Sequence, residues 1–119
     1  MLFRSAPLYV FGDGIKKALI IALSVLNISN GILLIDEIET SIHISVLNHV
    51  FAWLIEVCSH RNIQLFVTTH SLEAIDAMLQ PGSTPDKIVA FRLHSTGQPQ
   101  RFSGNLLHRL RSERGLDVR

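Results

Sequence analysis

Apolar residues along the 119-residue chain come in blocks whose spacing changes repeatedly from helical to extended. Residues 7–11, PLYVF, read as a short extended stretch. Gly12-Asp13-Gly14 then gives a flexible turn with a capping carboxylate, and residues 15–29, IKKALIIALSVLNIS, read as a mostly buried helix stopped by Asn30-Gly31. ILLI, residues 32–35, is too short for a helix, and its unbroken aliphatics predict a parallel strand covered on both faces. A helix follows from about Ile42 to Ser59, with Thr40 or Ser41 as its cap. Its apolar stripe is Leu47, Val50, Phe51, Leu54 and Ile55, and Arg61-Asn62 closes it.

IQLFVTT, residues 63–69, predicts the next strand, with His70 at its exit. Ser71 can cap a helix running to about Leu79, which Pro81 and Gly82 break. KIVAFRL (87–93) reads as a further strand, STGQPQ (95–100) as a turn and GNLLHRLRSER (104–114) as a closing helix. This alternation predicts an α/β fold, a parallel sheet with flanking helices and right-handed crossovers, in one domain spanning residues 1–119. Ligands of such sheets bind beyond the carboxyl ends of the strands. Two strand ends carry polar groups suited to chemistry: Asp36-Glu37 after ILLI, and Thr68-Thr69-His70 after QLFV.

Composition changes this picture in one respect. Hydrophobic residues make up 47% of the chain and charged ones 18%, against about 25% charged in ordinary soluble domains. A chain so apolar has more surface to hide than it can cover alone, which points to a partner or to a missing piece of its own fold. The net charge of +1 excludes a broadly basic protein. Four arginines, Arg109, Arg111, Arg114 and Arg119, face Glu113 and Asp117 near the carboxyl terminus and read most simply as a solvated helix face. The lone Cys58, in an apolar run, reads as a core thiol in a reducing, cytoplasmic setting. Asn27, Asn30 and Gly31 interrupt the apolar run from Ala18 to Ile35, so no membrane span is read.

An aliphatic strand that delivers Asp-Glu at its end suits phosphoryl transfer, the first acid orienting hydrated magnesium and the second polarising the attacking water. Equally, the pair can mark where a buried strand meets solvent. Gly12-Asp13-Gly14 can present backbone N–H groups to a phosphate or simply open a helix. His70 can sense a terminal phosphate or merely precede a capped helix. The six histidines show no i, i+4 pair, so a histidine metal site finds little support.

In order, FGDGIKKALIIAL, GILLIDEIETSIH and LFVTTHS resemble the carboxyl-terminal half of an ABC-type ATPase domain, closest to the AAA-family ATP-binding proteins related to the OLD nucleases and to the RecF and SMC branch. The likeness covers about Tyr9 to Leu79. It implies a partial P-loop NTPase fold that uses ATP and Mg2+. Gly12, Asp13 and Gly14 then stand at the signature loop, with Gly12 where the usual serine would be. Asp36 matches the Walker B aspartate that holds the metal, and Glu37 matches the catalytic glutamate. His43 lies in the D-loop, where many ABC proteins have aspartate, and His70 matches the switch histidine.

No G-x-x-x-x-G-K-[ST] loop occurs in the sequence. The resemblance therefore implies a Walker A-bearing segment or subunit as partner, self-association or a homo-oligomer, and inactivity of the chain alone. DNA stays open as a partner and no membrane is expected. Two other readings remain: a truncated, non-catalytic interaction module, and a receiver-type phosphoacceptor, which would need a lysine at a later strand end where Lys87 stands at a strand start.

Overall fold

The computed structural model describes residues 12–80 and 84–115. The expected extended stretch at residues 7–11 and the helix stop at Pro81 and Gly82 lie outside them. The chain divides into two compact units, Met1–Thr69 and His70–Arg119.

The first unit is built from α1 (Asp13–Asn27), β1 (Ile32–Ile35), α2 (Ile44–His60) and β2 (Gln64–Val67). The two strands pair in parallel, with Ile32 opposite Gln64 and Ile35 opposite Val67. A parallel pair needs a crossover of a dozen or more residues, and α2 supplies it. Leu47, Phe51 and Leu54 of the expected stripe are essentially fully buried, while Val50 and Ile55 are half-buried. Cys58, on the same helix, is buried as expected. Arg61 closes α2 and donates from its guanidinium to the carbonyls of Ile28 and Leu26, both at 2.9 Å. It thereby satisfies carbonyls at the end of α1 that the helix itself cannot.

Three expectations for this unit are corrected. α1 is not mostly buried: Ile21 and Val25 are its buried residues, whereas Ile15, Ile20, Leu23 and Leu26 are more than half exposed. β1 is covered on one face only, with Leu33 and Ile35 buried and Ile32 and Leu34 exposed. Both corrections have one cause, since among the described residues each element packs on a single side. The cap of α2 is neither Thr40 nor Ser41 but His43, whose ring accepts from the Ser45 backbone N–H at 3.3 Å.

The second unit holds α3 (Leu72–Met78), β3 (Val89–Arg92), β4 (Gln100–Ser103) and α4 (Gly104–Arg114). Ser71 and Ser103 cap the two helices through bonds to the N–H groups of Ala74 and Leu106. Leu79, Phe102 and Leu107 form its core, with Leu72, Ile75, Ile88, Ala90 and Leu110 packed around them. Here the expected parallel strand is corrected: β3 pairs antiparallel with β4, a strand not anticipated. Gln-Arg-Phe-Ser carries no alternating apolar signal beyond Phe102, so its pattern alone does not mark a strand.

Arg111 also departs from expectation. Its side chain is 14% exposed and forms a two-pronged pair with Asp76, 2.7 Å in each prong. A bidentate arginine–carboxylate bridge fixes orientation as well as distance, so this arginine ties α4 to α3 rather than belonging to a solvated face.

Candidate functional site

Asp36 and Glu37 follow directly on β1, and both are exposed. Ile38, the next residue, is fully buried and anchors the turn. Glu37 adopts φ of 45° and Ser41 φ of 66°, a left-handed conformation that costs a non-glycine residue energy. Such backbone persists only where its surroundings over-determine it, and here they do.

Thr68, the residue after β2, meets four consecutive residues of the acidic turn. Its N–H donates to the Ile35 carbonyl at 3.0 Å, and its carbonyl accepts from the Ile38 N–H at 3.2 Å. Its hydroxyl accepts from the Glu37 N–H at 2.9 Å and donates to Oδ1 of Asp36. From the other side, Lys17 of α1 places its Nζ 2.5 Å from the Glu37 carbonyl oxygen. That same carbonyl accepts the Thr40 N–H at 3.0 Å, and the Thr40 hydroxyl donates to Oε2 of Glu37 at 3.4 Å.

Gly12, Asp13 and Gly14 stand at the start of α1. Gly12 is the N-cap, in extended conformation and with no side-chain bond. Asp13 is not a capping carboxylate: it lies inside the first turn and pairs with Lys16 at 3.4 Å. Gly14 approaches the backbone of Ser41, so the start of α1 and the turn after β1 touch within one unit. An open groove of about 370 Å³ runs between α1 and β1, with Asp13, Lys16, Lys17 and Asp36 at its charged end.

His43 lies in the first unit as the cap of α2, its Nδ1 2.8 Å from the Ser45 hydroxyl. His70 is the first residue of the second unit, exposed on a bend ahead of Ser71. The structure thus brings Asp36, Glu37 and Gly12–Gly14 into one unit, together with two residues whose contacts the pattern did not give. Thr68 stands at a strand end that the sequence marks as polar. Lys17 left a signal of another kind, because lysines near a helix N-terminus oppose the dipole and ask for a local reason.

Asp36 offers hard carboxylate oxygens, the donor type magnesium takes, and that ion is commonly held by one or two carboxylates with phosphate and water supplying the rest. Among the described residues no three His, Cys, Asp or Glu side chains gather as a metal cluster. The exposed Asp36 carboxylate fits a divalent cation that takes its remaining ligands from elsewhere.

Residues 4–76 match the family described as "AAA domain, putative AbiEii toxin, Type IV TA system". The match covers more than half of the chain, which belongs to this AAA-domain family. An uncharacterized protein of Methanocaldococcus jannaschii is 46% identical over 72 residues, covering 60% of this chain and 63% of that protein. An ATP/GTP phosphatase of Helicobacter pylori is 36% identical over 80 residues, covering 65% of this chain and 22% of that protein. The chain thus spans less than two thirds of either relative. No solved structure matches it. The α/β architecture, with its small parallel sheet and flanking helices, is compatible with a P-loop NTPase-like fold. In general, the family's chemistry is nucleotide binding and ATPase-type, with ATP and a divalent metal. Among the described residues no helix is long and apolar enough to cross a membrane.

Proposed function

We propose that this chain supplies the Walker B, signature-like and switch-histidine elements of an ATP-hydrolysing domain, the carboxyl-terminal part of an ABC-type ATPase. Asp36 would hold Mg2+, and Glu37 would polarise the attacking water. His70 would meet the terminal phosphate, while Gly12 to Gly14, Gly14 chiefly, would touch the phosphate held by an opposite subunit. His43 would lie in the D-loop. When bound, magnesium would neutralise charge on the phosphate oxygens. The phosphate cradle would come from a Walker A-bearing segment or subunit, because no glycine-rich loop with lysine occurs here. The chain alone is therefore not expected to turn over ATP.

One observation carries the reading. Asp36 and Glu37 follow the carboxyl end of a strand in a parallel pair, where α/β sheets bind ligands, and Thr68, just after the neighbouring strand, bonds to both. The ATP/GTP phosphatase relationship supports it.

Calorimetry of the full chain with Mg2+ and ATP provides the test, with and without a Walker A-bearing segment. The expected result is nucleotide binding restored by that segment, abolished by Asp36→Asn, with Glu37→Gln trapping ATP unhydrolysed. No binding at millimolar ATP in either arrangement overturns the reading. It would favour the second one, a non-catalytic interaction module, for which the exposed apolar residues of α1 and β1 speak.

A further inference from the structure

We propose that Thr68 is the positioning residue of the acidic turn, its single hydroxyl fixing both the Asp36 carboxylate and the Glu37 backbone so that the two acids face a cation in one arrangement. The inference rests on the reading of Asp36 and Glu37 as the acids of an ATPase site.

A threonine hydroxyl has one proton to donate and lone pairs to accept with. Here the lone pair takes the Glu37 N–H at 2.9 Å, and the proton goes to Oδ1 of Asp36. Neither valine nor alanine can do either. The two bonds act on different freedoms. The first stabilises the left-handed backbone at Glu37, φ 45°. The second selects one orientation of an exposed carboxylate that would otherwise sample several, and it commits Oδ1 so that Oδ2 is the oxygen Thr68 does not engage. Thr68 is itself held from both sides, through Ile35 and Ile38, by backbone bonds of 3.0 and 3.2 Å. Its hydroxyl therefore starts from a fixed backbone, as a group must if it is to hold another within a fraction of an ångström.

A merely structural threonine would serve the ladder through its backbone, and valine would replace it. The test compares wild type, Thr68→Val and Thr68→Ser in the full chain by NMR. One arm reads amide exchange at Glu37 and the rotamer of Asp36 from side-chain couplings. The other reads broadening of the amides of residues 36–38 by Mn2+ at millimolar concentration, with Asp36→Asn alongside.

The expected result is that Thr68→Val speeds Glu37 exchange about fivefold to tenfold, the worth of one hydrogen bond. It should also average the Asp36 couplings and reduce Mn2+ broadening several-fold, while Thr68→Ser matches wild type throughout. Unchanged exchange and couplings in Thr68→Val, or a serine variant that behaves like valine, overturns the proposal. Should Thr68→Val not fold, the wild-type protein decides: Glu37, whose N–H bonds to a side chain rather than to the ladder, must be protected, and exchange at the unprotected rate overturns it. Equal Mn2+ broadening in wild type and Asp36→Asn instead counts against the ATPase reading, and the exchange arm still judges Thr68 alone.

Discussion

Gly14 lies so close to Ser41 that a Cβ added to it would stand 2.3 Å from the Ser41 carbonyl oxygen. Backbone meets backbone there, and neither side can rotate away. Gly14→Ala is therefore expected to destabilise the protein by about 1–3 kcal/mol, the range of overpacking at a fixed site. Gly12, with nothing within 4 Å of its added Cβ, meets no such clash, so Gly12→Ala should cost less than Gly14→Ala, only the poorer N-capping of alanine. Urea denaturation of the two variants side by side checks this, and equal stabilities would mean the close approach is absent in solution.

His43, proposed for the D-loop, has a structural duty as well. Its ring accepts the Ser45 N–H and so caps α2. His43→Ala should cost about 0.5–2 kcal/mol, whereas His43→Asp, an ordinary N-cap, should retain or improve stability. Thermal melts of both variants check the order, and an aspartate variant as unstable as alanine would refute the capping role.

The Arg111–Asp76 bridge should be measurable but modest, because the Asp76 side chain is 45% exposed and solvent screens such a pair. A double-mutant cycle of Asp76→Asn and Arg111→Met is expected to give a coupling near 1 kcal/mol that shrinks in high salt. Zero coupling at low salt would mean that the packed arginine stem, and not its charge, fastens α4.

Burial pushes the Cys58 thiol above its ordinary range. The native thiol therefore holds its proton more tightly than the unfolded one. Its contribution to stability is present below the unfolded thiol's titration and is lost as pH rises through and beyond it. The measurement is stability against pH for wild type and Cys58→Ala: the alkaline decline should be steeper in wild type. Cys58 should also react slowly with thiol reagents until the protein unfolds.

Helix positions and the Ser71 cap were the legible part of this sequence. Ser71 precedes apolar spacing and caps as serines do, and β1 follows from four aliphatics between a stop and a turn. His43 was hidden because histidine is not among the usual N-caps. β4 was hidden because Phe102 is its one buried residue. In the candidate site, Asp36 and Glu37 could be read from the chain, since strand and acids are contiguous. Their supports could not. Lys17 and Thr68 reach the turn across separations of 20 and of 31 to 32 residues, and no local pattern records a pairing that the register of two strands creates.

The left-handed backbone at Glu37 sets stability and chemistry against each other. Glycine or asparagine would adopt that φ more comfortably than glutamate, so a library sorted purely for heat resistance should discard the acid early. Survivors of such a selection would be sturdier molecules stripped of their proposed general base, and their sequences would mark residue 37 as one where fold and use ask for different side chains.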